Sequence, residues 1–321
     1  MIGTCILAAV TASASHAQTK TAFHVIRTIP LGGDGSWDYL RYDPEGKRLF
    51  IARSTRVMVV DLATARLIGE IPDTAGVHGV ALIPEIHRGV TSNGKANTAT
   101  IFDFDTLKPI ATVATGEKPD SILWDPFSKT VLTMNGHANS ITLIDPRTAQ
   151  AVGAIALPGR PETAVTDGHG KVFVNLEDKG QIAVVDMTRR TVTGAWDLTG
   201  CTEPTGLAID TRDHAPMRLF SACHSGSVFI VDAGSGKIVQ QLPIGGNVDA
   251  AAFDPATQTV FTSNGEGSIS VIQQSGPDSY RNLETVPTLP GAKTMALDPE
   301  SHRLYTVANR NGEFVLLEIG R

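Results

Sequence analysis

The chain is poor in cysteine, with three among 321 residues, and poor in aromatics, at 6%. Past its first residues it has no apolar run of about 18 or more, which leaves nothing to span a membrane as a helix. No segment sustains the period of about 3.6 residues that an amphipathic helix needs. Four chemical signatures are also missing: a Cys-x-x-Cys-His haem site, a Gly-x-Ser-x-Gly elbow, a Walker loop and a His-Glu-x-x-His zinc motif. Positive charge is in deficit as well. A formal net charge of −6 argues against nucleic acid as a partner, because phosphates call for a basic surface.

What is plentiful is glycine, at 31 residues, together with threonine and valine. That composition predicts short strands joined by tight turns. The first residues read as a leader. "CILAAVTASA" has the length of a signal h-region, and "SHA" ending at Ala17 is a small-x-small cleavage site, although no Lys or Arg precedes it. The expected division is a signal peptide over 1–17 and one domain over 18–321, in a periplasmic or secreted protein. Loss of the leader removes Cys5 and leaves Cys201 and Cys223, an even count that predicts a disulfide in an oxidising compartment.

Repetition dominates the rest. An apolar-apolar-Asp motif ends at Asp61, Asp103, Asp145, Asp186 and Asp232, with degenerate copies at Gln273 and Glu318. The spacings are 42, 42, 41, 46, 41 and 45 residues. A second marker, Asp-Pro, stands at Asp43, Asp125, Asp254 and Asp298, with Ile83, Asp167 and Asp210 in the same slot. Each unit reads as four short strands separated by turn signals, which is the pattern of an antiparallel propeller blade. The Asp-x-x-Thr segments are expected to cap turns rather than to react. The last unit stops after its third strand, "EFVLLEIGR", while the early segment "HVIRTIPLGG" reads as a fourth strand. The prediction is an all-β, seven-bladed β-propeller whose N-terminal strand completes the last blade and removes the open sheet edges. In this register Cys223 stands opposite Thr205, so the loop holding Cys201 has to fold back to reach it.

These turns, with "SNG" closing two of the second strands, resemble the YncE / YVTN-repeat family of bacterial seven-bladed propellers. Segments such as "LGGDGSWDYL", "PDTAGVHGVAL" and "FSACHSGS" resemble an exported YncE-like subgroup. The resemblance covers residues 21–321. It implies the fold but no single activity, since propellers of this wider group include binding proteins, lactonase-like enzymes and parts of redox enzymes. "VANRNGEF" is short where subgroup members carry a longer Pro-rich insert.

The first strand of each blade is expected to line a central channel. Five places before the Asp-Pro slot stand Asp38, His78, Asp120, Glu162, Thr205, Asp249 and Lys293, polar in all seven units. Crowded carboxylates raise one another's pKa and call for a cation, a shared proton or water. His78, Asp120, Glu162 and Asp249 are therefore candidate ligands for a divalent metal ion, while Lys293 speaks against a simple metal cage. Plain wet lining of a channel explains the same residues. A second ring, ten places after the slot in most units, reads Arg53, Asn93, Asn135, Asn175 (after a turn two residues shorter), Cys223 (after a longer one), Asn264 and Ala308, with His137 and His224 just beyond. Arg53, Asn93, Asn135 and Asn264 would add hydrogen bonds to an anionic or polyhydroxylated ligand, or they serve only the turns.

Three functions remain open at this level. One is a binding protein whose channel mouth takes a small polar or anionic ligand, a metal ion or a protein partner. The alternative is a lactonase-like hydrolase or lyase, in which a metal or the Asp120/Glu162 pair polarises substrate and His78 acts as base. The third is an interaction platform that uses the outer loops. A closed ring needs no partner to fold, so a monomer is the default expectation.

Overall fold

The computed structural model describes residues 22–321, and the expected leader lies outside the described residues. The chain forms seven antiparallel sheets of four strands each. Six sheets are built from consecutive strands. In the seventh, His24–Pro30 pairs with Glu313–Gly320 and completes the sheet of Met295–Asp298 and Arg303–Arg310. The innermost strands are Leu40–Asp43, Val77–Ile83, Pro119–Asp125, Pro161–Thr166, Pro204–Asp210, Val248–Asp254 and Met295–Asp298. Each touches the next, and the last touches the first, so the sheets close into a seven-bladed propeller.

The burial pattern follows from that closure. Arg48–Arg53 and Arg56–Asp61, the middle strands of the first blade, are buried on both faces because a neighbouring blade covers each. The outer strand Arg66–Ile71 is mostly exposed. Apolar side chains therefore collect between blades rather than in one central core. Leu40, Leu49 and Val60 of the first blade pack with Tyr305, Val307 and Leu316 of the last, which seals the ring sideways as well as by strand pairing. Near the axis the strands crowd together. A Cβ on Gly206 would stand 2.7 Å from the backbone of Ala250, so the fifth blade needs glycine there.

The Asp-x-x-Thr segments cap turns. Asp61 Oδ1 accepts hydrogen bonds from the Thr64 amide and hydroxyl, both at 2.6 Å, and Asp103 does the same with Thr106. These bonds hold both carboxyls below their usual range.

Cys201 and Cys223 form the expected disulfide, with Cα atoms 5.6 Å apart. The register differs from the prediction by one place: Cys223 pairs with Pro204, not Thr205. The pairing skips Thr205 and Gly206 before resuming at Leu207, an irregularity that counting residues does not reveal. The bond ties the loop before the fifth blade to the end of that blade's second strand. With its partners 22 residues apart, a cross-link of this span stabilises by about 3 kcal/mol. The Cys201→Ser, Cys223→Ser double variant should melt several degrees below the wild type, and reductant should lower the wild type alone. Equal melting of both proteins would show that the bond is not formed.

Candidate functional site

All seven residues of the first ring line one cavity of about 460 Å³ at a channel mouth. Their aim comes from backbone irregularities. Val77 pairs with Asn93 and Gly79 with Ser92, which leaves His78 as the extra residue of a β-bulge. Asp120 and Asp249 are left over in the same way. Glu162 falls within the skipped stretch between Pro161 and Ala164, as Thr205 does in the fifth blade. A bulge twists the strand and re-aims a side chain that regular pleating would send between the blades. Asp38 and Lys293 need no bulge, because they precede their strands.

Three cations stand beside carboxylates of the ring. His78 Nδ1 lies 2.5 Å from Asp38 Oδ2 and 2.9 Å from Asp120 Oδ1. Lys118 Nζ lies 2.9 Å from Asp120 Oδ2, and Lys293 Nζ 2.5 Å from Asp249 Oδ2. Just outside, Arg160 pairs with Glu177 at 2.8 Å. Burial opposes a charge on His78, but the hydrogen bonds and charges of Asp120 and Asp38 prevail and raise its pKa to about 10. Burial likewise opposes the charge on Asp120, while His78 and Lys118 bring its pKa down to about 2. Burial pushes Asp249 up despite Lys293, and it pushes Glu162 well up with help from Asp120, Asp249 and Glu177. The ring thus holds two kinds of carboxyl: Asp120 kept ionised, and Glu162 driven towards its protonated form.

Tyr39 is the cross-bar beneath the ring. It enters from the first blade, and its hydroxyl donates to Glu162 Oε1 of the fourth at 2.8 Å, beside Thr163 Oγ1 at 3.1 Å. Sequence reasoning missed its role, along with those of Lys118, Arg160 and Glu177. A signal was present for Tyr39. The slot after the ring residue holds Gly79, Ser121, Thr163, Gly206, Ala250 and Thr294 in the other blades, and only Tyr39 is large.

The four candidate metal ligands separate. His78 and Asp120 come together, and Asp38 joins them, so that one ligand atom from each lies within 4.8 Å of the others. Glu162 is instead bonded to Tyr39, and Asp249 to Lys293. The role of His78 as a base also needs correction. Held between two carboxylates, it is an imidazolium at neutral pH and has a proton to give.

The ligand role expected of Arg53, Asn93, Asn135 and Asn264 is corrected more fully. Arg53 is 1% exposed, lies over Phe314 and donates to the carbonyls of Gly33, Gly35 and Ser36, pinning a loop. Asn93 accepts from Thr91 and donates to Thr98 and Thr100. Asn135 and Asn264 repeat this staple, with Thr133, Ser140 and Thr142 and with Thr262, Ser268 and Ser270. Each amide is used up inside its own hairpin. Asn175 is buried too, donating to the carbonyls of Thr205 and Gly206. The glycine after the asparagine does face the ring: a Cβ on Gly94 would stand 2.6 Å from His78 Nε2. Of the two loop histidines, His224 lines the cavity, 2.8 Å from Glu203, while His137 is exposed beside Glu117.

No protein-family model and no curated protein matches the chain. Among solved structures it is similar to Kuenenia stuttgartiensis hydrazine synthase, with a TM-score of 0.75 over 96% of this chain and 98% of that one. At 16% identity this likeness shows the fold alone.

Two predictions follow from the buried polar groups. Asn135→Ala leaves buried hydroxyls unpaired and should cost about 1–3 kcal/mol in chemical denaturation; an unchanged midpoint would mean the staple contributes nothing. The stability His78 draws from its charge is complete below about pH 6.5, the unfolded value, and is lost as pH rises through about 10. The melting-temperature advantage of wild type over His78→Gln should therefore shrink from neutral pH to pH 10. A constant difference would show that Asp38 and Asp120 do not hold the proton.

Proposed function

We propose that the channel mouth is the active centre of a lactonase-like hydrolase or lyase that acts on a small polar substrate by carboxylate and imidazole chemistry. The observation that carries this is the Asp38–His78–Asp120 group, whose ligand atoms lie within 4.8 Å of one another, with Glu162 nearby pushed by burial towards its protonated form. Asp38, Asp120 and, once deprotonated, His78 offer oxygen and nitrogen donors to a divalent cation, which would polarise a carbonyl oxygen. Glu162 keeps a proton for the leaving oxygen, and Tyr39 orients it. Unequal environments for neighbouring carboxyls are how one site provides an acid and an anion together. Without a cation, the His78 imidazolium serves as the hydrogen-bond donor to a developing oxyanion.

A second reading, a binding protein for a small polar or anionic ligand, is favoured by one observation. The pairs at His78, Lys118 and Lys293 already balance the carboxylates with no metal. In either case we place the protein outside the cytoplasm, where the Cys201–Cys223 bond persists. The leader reading and the YncE-like repeat motifs support this, and no helix among the described residues is long and apolar enough to cross a membrane.

Calorimetry with Mn²⁺ and Zn²⁺, paired with a lactone and ester hydrolysis panel before and after chelation, tests the proposal. Metal binding that weakens about tenfold or more in Asp120→Asn, with turnover lost in Glu162→Gln, is the expected result. Turnover that survives in both variants would overturn the assignment. A ligand bound but recovered unchanged would favour the second reading.

A further inference from the structure

At the end of the innermost strands away from the ring lies a cavity of about 450 Å³, at the seam where the last blade meets the first. Tyr42 of the first blade and Tyr305 of the last both line it. Their rings stack across the seam, with centroids 6.3 Å apart and planes 19° from parallel. Tyr42 is 7% exposed and Tyr305 3%.

The repeat separates packing from polarity at these two positions. In the place of Tyr42, one before the Asp-Pro slot, the other blades carry Leu82, Trp124, Thr166, Ile209, Phe253 and Leu297. Strand pairing sets Tyr305 opposite Ala296, and the equivalent residues elsewhere are Phe50, Val90, Leu132, Phe173, Phe220 and Phe261. Between the fifth and sixth blades the same stack is built from Phe220 and Phe253, 5.1 Å apart at 23°. Packing at such a seam therefore needs rings but no hydroxyls, and yet both rings of the last seam are phenols.

The Tyr42 hydroxyl is buried and has no hydrogen-bond partner among the described residues. Such groups are rare in folded proteins and call for a partner from outside. Asp298 and Lys47 line the same cavity and act on the phenol without bonding it; burial first, then Asp298, raises its pKa. Burial pushes Tyr305 up to about 12. Both phenols thus keep their protons at neutral pH. The charges around them cancel. Glu300 bonds Lys47, Glu318 holds Arg27 at 2.7 Å and Arg303 at 2.5 Å, and Asp298 caps its own turn at Glu300 and Ser301. Three carboxylates against three cations favour a neutral ligand over an ion.

We propose that this seam cavity binds a neutral polyhydroxylated molecule of monosaccharide size. Its volume falls within the range of small-molecule pockets, about 300–1,000 Å³. A sugar hydroxyl accepts a hydrogen bond from Tyr42 and donates one to a carboxylate oxygen of Asp298 or Glu300 at the same time. The C–H face of the sugar ring rests on Leu62 and Ala63, which complete the lining on that side. The site lies apart from the mouth and does not depend on the chemistry proposed there.

Glucose, galactose and mannose, with cyclohexanol and acetate as controls, test this by calorimetry and ligand-observed NMR on the full chain. At least one sugar should bind and raise the melting temperature, with cyclohexanol and acetate about tenfold weaker or more. Tyr42→Phe should weaken that sugar by about tenfold or more, because its hydroxyl loses its buried partner. Without sugar, Tyr42→Phe should melt at or above the wild type, since the hydroxyl it removes bonds nothing, and Phe253 shows that the place accepts a bare ring. No sugar bound, equal binding to both proteins, acetate binding as tightly as the sugar, or a clear fall in the melting temperature of the sugar-free variant would each overturn the inference.

Discussion

Backbone pairing between His24–Pro30 and Glu313–Gly320 joins the two ends of the chain, and the channel exists because of it. Without that strand the last blade has three members and an open edge. With it, the sheets form a cycle in which each innermost strand is held between two others. Residues as distant in sequence as Asp38 and Lys293 then reach one cavity. No single blade can build this site, because each contributes one side chain to the ring.

Closure also sets an electrostatic problem. It brings four acidic side chains, from four blades, to one narrow mouth with little water around Asp120, Glu162 and Asp249. The chain meets this in two ways. His78, Lys118 and Lys293 sit beside carboxylates and offset their charge, while Glu162 is left without a cation and is driven towards its neutral form. The outcome is a mouth in which Asp120 is held as an anion and His78 as an imidazolium, while Glu162 is pushed towards its neutral form. Tyr39, from the first blade, links the acid to the fourth blade across the channel.

The asparagine ring shows how a periodic signal can mislead. Asn93, Asn135 and Asn264 recur because the hairpin between second and third strands is buried on both faces, so its polar groups must satisfy one another. Thr two places before each asparagine, with Thr or Ser five and seven places after Asn93 and Asn135 and four and six after Asn264, marks that role in the sequence. The adjacent Gly94 is the member that concerns the ring, by leaving room for His78.

The sequence by itself determined the blade count, the strand plan of each unit, the swap that closes the ring, the cysteine pair and the seven polar positions at the channel. Each of these rests on local chemistry repeated at a fixed spacing: alternation, turn residues and one slot per blade. Tertiary structure alone decided which of the seven act together. The bulges at His78, Asp120 and Asp249, and the skipped residues around Glu162 and Thr205, shift side chains in ways a residue count does not register, as the pairing of Cys223 with Pro204 shows. Distances across the channel then placed Asp38 with His78 and Asp120, gave Glu162 to Tyr39, and gave Asp249 to Lys293. Those are through-space relations among blades, and they exist only once the ring is closed.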